Sequence, residues 1–161
     1  MDIVLKADAK TVRRVPWAAE PTAQVIHDCF YADGQRVGMA PRGVLRRIME
    51  LYAERGWDPI VAPELEFYLV EPNLDADYPL KPPVGRSGRA ESGRQSYSIA
   101  AVNEFDPLFD DMYQFCEDQD IEIDTLIHED GAAQMEINLL HGNALELADQ
   151  AFLFKRTARE A

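Results

Sequence analysis

Two pairs of glutamates have the residue type and the spacing of candidate metal ligands. Glu64 and Glu66 are one residue apart in an alternating segment, and Glu129 and Glu136 flank a predicted hairpin turn. Carboxylate oxygens are preferred ligands of hard divalent cations such as Mg2+ and Mn2+. Like charges on one face repel one another unless a cation, a proton or water separates them. Spacing alone leaves a metal site and a solvated acidic face open, and it favours the solvated face in so acidic a chain.

Composition restricts the class of partner. The chain has 161 residues, with 29 Asp or Glu against 16 Lys or Arg, so its formal net charge is −13. This excess of acid argues against nucleic acid or an anionic membrane surface as the main partner, because both attract basic patches. It suits cations, metals or amines. The hydrophobic fraction of 47% is enough for the core of one domain or of a piece of a larger one.

The sequence also bears on the compartment. No apolar run approaches the roughly 18 residues of a membrane span. Residues 1–6 contain no signal-peptide h-region. Cys29 and Cys116 are far apart and lack metal-binding spacing. We therefore expect a cytoplasmic protein with two free thiols and no membrane partner.

The elements that must position the first pair of glutamates are strands. Segment 58–70 alternates, which predicts a strand with Leu65 and Phe67 in a core and with Glu64 and Glu66 together on the opposite face.

The second pair of glutamates lies around a predicted hairpin. Segments 121–127 and 134–140 also alternate, and Asp130-Gly131 is a turn signal between them. We expect these two segments to pair as an antiparallel hairpin, with Glu136 on one face together with Gln134 and Asn138.

Three helices are predicted, at 41–55, 106–119 and 143–159. Pro41 suits the first turn of the first helix, and Asp106 and Asn143 are candidate N-caps of the other two. Four arginines lie on the polar side of the first helix and predict a solvated face: Arg42, Arg46, Arg47 and Arg55.

The remaining segments complete the predicted architecture. Segments 11–17 and 23–31 are predicted strands, and 71–95, rich in proline and glycine, is a long irregular loop. The expected fold class is α+β: a mainly antiparallel sheet with helices on one face and the glutamates on the open face.

Four segments resemble motifs of the glutamine synthetase family, and they follow one another along the chain in the family's order. Residues 61–69, VAPELEFYL, are similar to the family's G-x-E-x-E-F/Y-F/Y-L strand, and residues 128–136, HEDGAAQME, are similar to its His-Glu-x-x-x-x-Gln-x-Glu segment. Residues 93–98, GRQSYS, stand where the family has Gly-Gly-Tyr-Phe. Residues 148–155, ADQAFLFK, are similar to its Ala-Asp-x-x-x-x-x-Lys helix. The long loop resembles the γ-glutamyl-polyamine branch more than the ammonia-using enzymes.

The resemblance implies an ATP-dependent ligase of nitrogen metabolism. Such an enzyme phosphorylates the γ-carboxylate of glutamate with ATP, and ammonia or another amine then displaces phosphate. Mg2+ or Mn2+ is the implied cofactor, and the full-length protein is expected to be a homo-oligomer. By position, Glu66, Glu129 and Glu136 would hold one metal and Glu64 would help to hold a second. Tyr97 would lie near the amine, and Asp124 near the nucleotide.

The resemblance covers only part of such an enzyme. We expect residues 1–161 to be a partial catalytic domain, inactive alone, without an N-terminal β-grasp domain and without the C-terminal remainder. Ala132-Ala133 stands where the family has Pro-Gly or Ala-Gly, so a difference is expected in that turn. The alternative hypothesis is a non-catalytic acidic metal-binding or oligomerisation module.

Overall fold

The computed structural model describes residues 2–161 as nine β-strands and four α-helices. The strands are β1 (Ile3–Ala7), β2 (Arg13–Arg14), β3 (Ala23–Gln24), β4 (His27–Tyr31), β5 (Ile60–Val61), β6 (Glu64–Tyr68), β7 (Ile123–His128), β8 (Gln134–Leu139) and β9 (Gly142–Asn143). The helices are α1 (Pro41–Ala53), α2 (Ile99–Val102), α3 (Asp106–Glu117) and α4 (Ala144–Glu160). Short 3-10 helices occupy Ala9–Thr11 and Asn103–Phe105.

The central sheet has three antiparallel strands in the order β6-β8-β7. The predicted hairpin forms between β7 and β8, and β6 pairs with the other edge of β8. In this register Glu66 lies opposite Glu136, and Glu64 lies opposite Asn138. Residues opposite one another in a sheet project to the same face, so the register places Glu64, Glu66 and Glu136 on one side.

The core lies entirely on the other side of this sheet. Leu65 and Phe67 are partly buried there, next to the buried side chains of β8. Helices α3 and α4 cover that side through Met112 and Phe154, both 2% exposed or less. The predicted α+β class, with an antiparallel sheet and helices on one face, is confirmed.

The helix-end signals have mixed outcomes. Pro41 opens α1, and the side chain of Asn143 caps α4 by accepting from the backbone N–H groups of Leu145 and Glu146, as predicted. Asp106 is not the N-cap of α3, because the preceding 3-10 helix already winds the chain; Phe105 takes that position and Asp106 lies in the first turn.

The first forty residues are less regular than the sequence suggests. The predicted strand at 11–17 reduces to the two residues of β2, which pairs with β3, and the predicted strand at 23–31 divides into β3 and β4. The division follows from different partners, since β4 pairs instead with β1. Segment 71–95 is the irregular loop expected. Both cysteines are free thiols.

Among residues 2–161, no helix is both long enough and apolar enough to cross a membrane.

Candidate functional site

Four glutamates occupy the open side of the central sheet. Glu64, Glu66 and Glu136 share this side through the β6-β8 register. Glu129 directly follows β7, and its backbone N–H donates to the carbonyl of Gln134 across the turn at 2.8 Å. We call this group the carboxylate face; its members are Glu64, Glu66, Glu129 and Glu136.

Glu136 is the most buried carboxylate of this face, at 7% exposure. Burial raises the pKa of Glu136, and the negative charges of Glu129, Glu64 and Glu66 raise it further, while Asn138 opposes them in part. The other three carboxylates of the face therefore all disfavour the charged form of Glu136. Among the residues that the structure describes, no lysine, arginine or histidine forms an ion pair with any of the four.

Gln134 links Glu66 to the hairpin turn. Its side-chain amide donates to Glu66 at 2.7 Å, and its carbonyl oxygen accepts from the Tyr68 hydroxyl at 3.1 Å and from the Gly131 backbone N–H at 2.7 Å. A Cβ atom at residue 131 would lie 2.5 Å from the Tyr68 hydroxyl, so a larger residue there would displace the Tyr68 side chain. This network fixes one carboxylate of the face relative to the turn.

The turn itself contains an unusual backbone conformation. Ala133 has φ of 55°, in the left-handed region that favours glycine, and it is fully buried. The family motif has glycine at this place, so Ala133 retains the conformation without the residue that favours it.

The donor set of the carboxylate face fits Mg2+ or Mn2+. All four side chains offer hard oxygen ligands, their charge is uncompensated, and the buried Oδ1 of Asn138 on the same face has no hydrogen-bond partner. Within residues 2–161, however, no three His, Cys, Asp or Glu side chains lie close enough together to hold an ion. Side-chain rotation would be needed before several of these carboxylates could share one metal.

The other two predicted site residues lie at opposite ends of β7. Tyr97 is 75% exposed, has φ of 62° and donates its backbone N–H to the carbonyl of His128 at 2.8 Å, beside the hairpin turn. Asp124 is exposed at a bulge between Ile123 and Thr125. Glu129 follows Asp124 by five positions, about 16 Å at the usual rise of a strand, so Asp124 does not join the carboxylates near the turn.

A buried pair of residues beside the turn was missed by sequence reasoning. The Glu91 carboxylate contacts the ring of His128 at 2.9 Å, and the two side chains are 6% and 0% exposed. Glu91 lies in the irregular loop, 37 residues away from His128 along the chain. This loop has no hydrophobic periodicity, so no pattern in the sequence distinguishes Glu91 from the other glutamates of the chain.

A second acidic group was also missed, and the prediction of a solvated arginine face was wrong at Arg42. The guanidinium of Arg42 donates to Asp8, Asp28 and Asp149 at 2.7–2.9 Å, and Arg46 donates to Asp8 at 2.9 Å. Arg42 is 13% exposed. The side of α1 that faces β4 and α4 therefore carries ion pairs. We call these five residues the arginine cluster.

Comparison with known proteins identifies a family. The sequence model described as "Glutamine synthetase, catalytic domain" matches residues 38–161. A γ-glutamylputrescine synthetase of Escherichia coli is 36% identical over 89% of this chain and 31% of its own length. A glutamine synthetase of Pyrococcus abyssi is 32% identical over 96% of this chain and 32% of its own length. The chain spans about a third of the length of the curated relatives it matches.

Solved structures agree with the fold. An apo GmaS structure superposes with a TM-score of 0.80 at 20% identity, covering 98% of this chain and 35% of the other. A Plasmodium falciparum glutamine synthetase superposes with a TM-score of 0.77 at 19% identity, covering 98% of this chain and 35% of the other.

Proposed function

Because this chain belongs to the glutamine synthetase family, through the catalytic domain, we propose that it is part of an ATP-dependent carboxylate–amine ligase. The reaction joins the γ-carboxylate of glutamate to ammonia or another amine through γ-glutamyl phosphate. The observation that carries this proposal is the carboxylate face: four glutamates on one side of a sheet without a protein cation among the described residues.

The carboxylate face would hold the divalent metals. Glu66, Glu129 and Glu136 would bind one ion, and Glu64 would contribute to a second. Bound metal supplies charge neutralisation for the phosphates and for the attacked carboxylate. The chain's own contribution is geometric: β6 and β8 hold Glu66 opposite Glu136, while Gln134 fixes the orientation of Glu66.

Two further residues take roles in this proposal. Tyr97 projects from the loop beside the hairpin turn, at 75% exposure, and is available to contact the amine. Asp124 is assigned to the nucleotide side. Its distance along β7 from Glu129 is compatible with a long ligand lying across the sheet, with the reacting groups at the turn.

Organic amines are the proposed class of acceptor. A γ-glutamylputrescine synthetase and a glutamate–isopropylamine ligase of Pseudomonas, 36% and 30% identical to this chain, support this choice. Glutamine synthetases at 32% identity keep ammonia as the second candidate. The full-length protein is proposed to be a cytoplasmic homo-oligomer, and residues 1–161 to be a partial catalytic domain that lacks turnover by itself.

The metal-binding part of the proposal is tested by titrating Mn2+ into this chain. A Glu129→Ala, Glu136→Ala double variant should bind Mn2+ at least tenfold more weakly than wild type. The control is a Glu20→Ala, Glu117→Ala double variant, which removes the same charge from exposed positions elsewhere. Equal affinity in all three proteins would return the glutamates to a solvated acidic face.

The catalytic part is tested with the full-length gene product. ATP- and glutamate-dependent phosphate release should rise with putrescine or a monoamine more than with ammonia, and it should vanish in Glu66→Ala. The 161-residue chain should show no amine-dependent ATP hydrolysis above its own Glu66→Ala control, because positioning of all reactants supplies most of phosphoryl-transfer catalysis.

A further inference from the structure

The end of the irregular loop forms hydrogen bonds and ion pairs with the hairpin turn that carries Glu129. On the exposed side, Arg94 and Ser96 both donate to the carboxylate of Asp130, the arginine at 2.6 Å. On the buried side, Glu91 contacts His128. The turn therefore rests on contacts from a segment distant in the sequence as well as on its own strands.

Glu91 makes the buried contacts through a single oxygen. Its Oε2 lies 2.9 Å from Nε2 of His128 and accepts the backbone N–H of Ala133 at 2.6 Å. Its Oε1 is buried without a hydrogen-bond partner. Burying an unpaired carboxylate oxygen costs free energy, so the contacts of Oε2 must offset that cost.

His128 transmits this contact to the start of the turn. The ring is 0% exposed, and its Nδ1 lies 2.7 Å from the backbone carbonyl oxygen of Glu129. Both ring nitrogens thus face oxygen atoms, one from the Glu91 side chain and one from the Glu129 backbone.

Ala133 receives the contact at the end of the turn. Its left-handed backbone is unfavourable for a residue with a Cβ atom. The Glu91 carboxylate holds the N–H of this residue, and its carbonyl accepts from the backbone of Leu69 at 2.9 Å, which extends the pairing of β6 with β8. One side chain therefore fixes both ends of the turn.

We propose that Glu91 is a positioning residue, which through His128 and Ala133 holds the hairpin turn so that Glu129 and Glu136 face one ligand. Its role for metal rests on the proposed function; its role for the turn does not. Glu91 touches neither glutamate, and it acts on them only through the backbone on either side.

Three substitutions of Glu91 separate the effect of side-chain length from the effect of charge. Glu91→Ala removes the contacts. Glu91→Gln keeps an acceptor oxygen at the same reach and removes the charge, whereas Glu91→Asp keeps the charge and shortens the side chain. The matched control is Glu104→Ala, since Glu104 also anchors this loop by accepting a backbone N–H, that of Ser87 at 2.8 Å, away from the turn.

Hydrogen exchange measures the turn without any metal. In Glu91→Ala and Glu91→Asp, the backbone amides of residues 129–134 should exchange roughly tenfold faster than in wild type, and Glu91→Gln should stay near wild type. Glu104→Ala should accelerate exchange around Ser87 only. Unchanged exchange of the turn in Glu91→Ala, or in a folded Glu91→Asp if Glu91→Ala does not fold, would overturn the proposal.

Mn2+ titration of the same proteins measures the consequence for the carboxylate face. Affinity should fall about tenfold in Glu91→Ala and Glu91→Asp and should stay near wild type in Glu91→Gln and Glu104→Ala. The reverse order, with Gln weak and Asp near wild type, would replace positioning by charge. If Mn2+ affinity falls in the Glu129→Ala, Glu136→Ala variant but not in Glu91→Ala, the positioning role of Glu91 is wrong and the metal site remains. Absence of binding to wild type would overturn the metal proposal and leave exchange to decide the role of Glu91.

Discussion

The arginine cluster and the carboxylate face are two acidic groups with opposite relations to positive charge. In the cluster, the guanidinium of Arg42 donates to three aspartates at 2.7–2.9 Å. On the carboxylate face, four glutamates share one side of a sheet with no cationic side chain paired to them in the described chain.

The pKa values follow this difference. Hydrogen bonds from Arg42 lower the pKa of Asp8, and burial of Asp28 is outweighed by its hydrogen bonds from Arg42 and Arg36, so that its pKa is also lowered. Burial and neighbouring carboxylates instead raise the pKa of Glu136. The cluster stabilises the negative charge of its acids, and the carboxylate face destabilises the charge of Glu136.

The comparison separates acids whose charge the fold compensates from acids whose charge it leaves uncompensated. Acids that receive a cation from their own chain have their charge compensated in the folded state and tie segments together. Acids left without one carry a repulsion that an external cation would relieve. The following predictions test this distinction.

The largest expected effect is on stability, from Arg42→Met. The substitution keeps an apolar stem but leaves three partly buried aspartates without their shared partner, which should cost about 3 kcal/mol. Urea unfolding followed by circular dichroism measures the loss. The control is Arg47→Met, because Arg47 donates only to the backbone carbonyls of Gly38 and Gly43 and should cost less than about 1 kcal/mol. Equal stability of the two variants would contradict a structural role for the cluster.

The next effect is the pH dependence of Asp28. Its folded pKa lies below its ordinary value of 3.8, so its charge contributes stability above that pH, and the contribution is lost as pH falls through the folded pKa. Asp28→Asn should therefore cost about 2 kcal/mol between pH 5 and 7 and progressively less below pH 3.8. Urea unfolding of both proteins across this range gives the difference. A difference independent of pH would show that charge is not the cause.

Glu136→Gln should have the opposite sign for stability. It removes a like charge directly opposite Glu66, so the metal-free chain should gain about 0.5 kcal/mol. The same substitution should weaken Mn2+ binding about tenfold, because it removes a ligand. Destabilisation of the metal-free chain together with unchanged Mn2+ affinity would place Glu136 with the structural acids.

The local parts of both regions could be predicted from sequence, whereas their long-range partners could not. Alternation alone placed Glu64 and Glu66 on one face, and the Asp130-Gly131 signal gave the hairpin, because strand period and turn chemistry depend on neighbouring residues. The partners of Arg42 lie 14, 34 and 107 residues away, and no local pattern distinguishes an arginine that meets three aspartates from one in solvent.

The same limit explains the contacts beside the turn that were missed. Glu91 lies in a loop without periodicity, so its contact with His128 depends only on how the loop returns to the sheet. In the turn, Ala133 has the left-handed backbone, whereas Gly131 lies close to the side chains of Tyr68 and Gln134. Spacing cannot separate a glycine required for space from one required for conformation.

The smallest expected effect concerns the exposed fastening of the turn. Arg94 and Asp130 form a 2.6 Å ion pair, but their side chains are 76% and 59% exposed, so water and salt screen the attraction. Arg94→Met should therefore leave the free energy of unfolding unchanged within experimental error, and 0.5 M salt should remove any residual difference. Hydrogen exchange of residues 129–134 should stay near wild type, in contrast to Glu91→Ala. Faster exchange in Arg94→Met than in Glu91→Ala would show that the exposed pair, and not Glu91, stabilises the turn. Asp130 would then belong with the acids whose charge is compensated by a cation of the same chain.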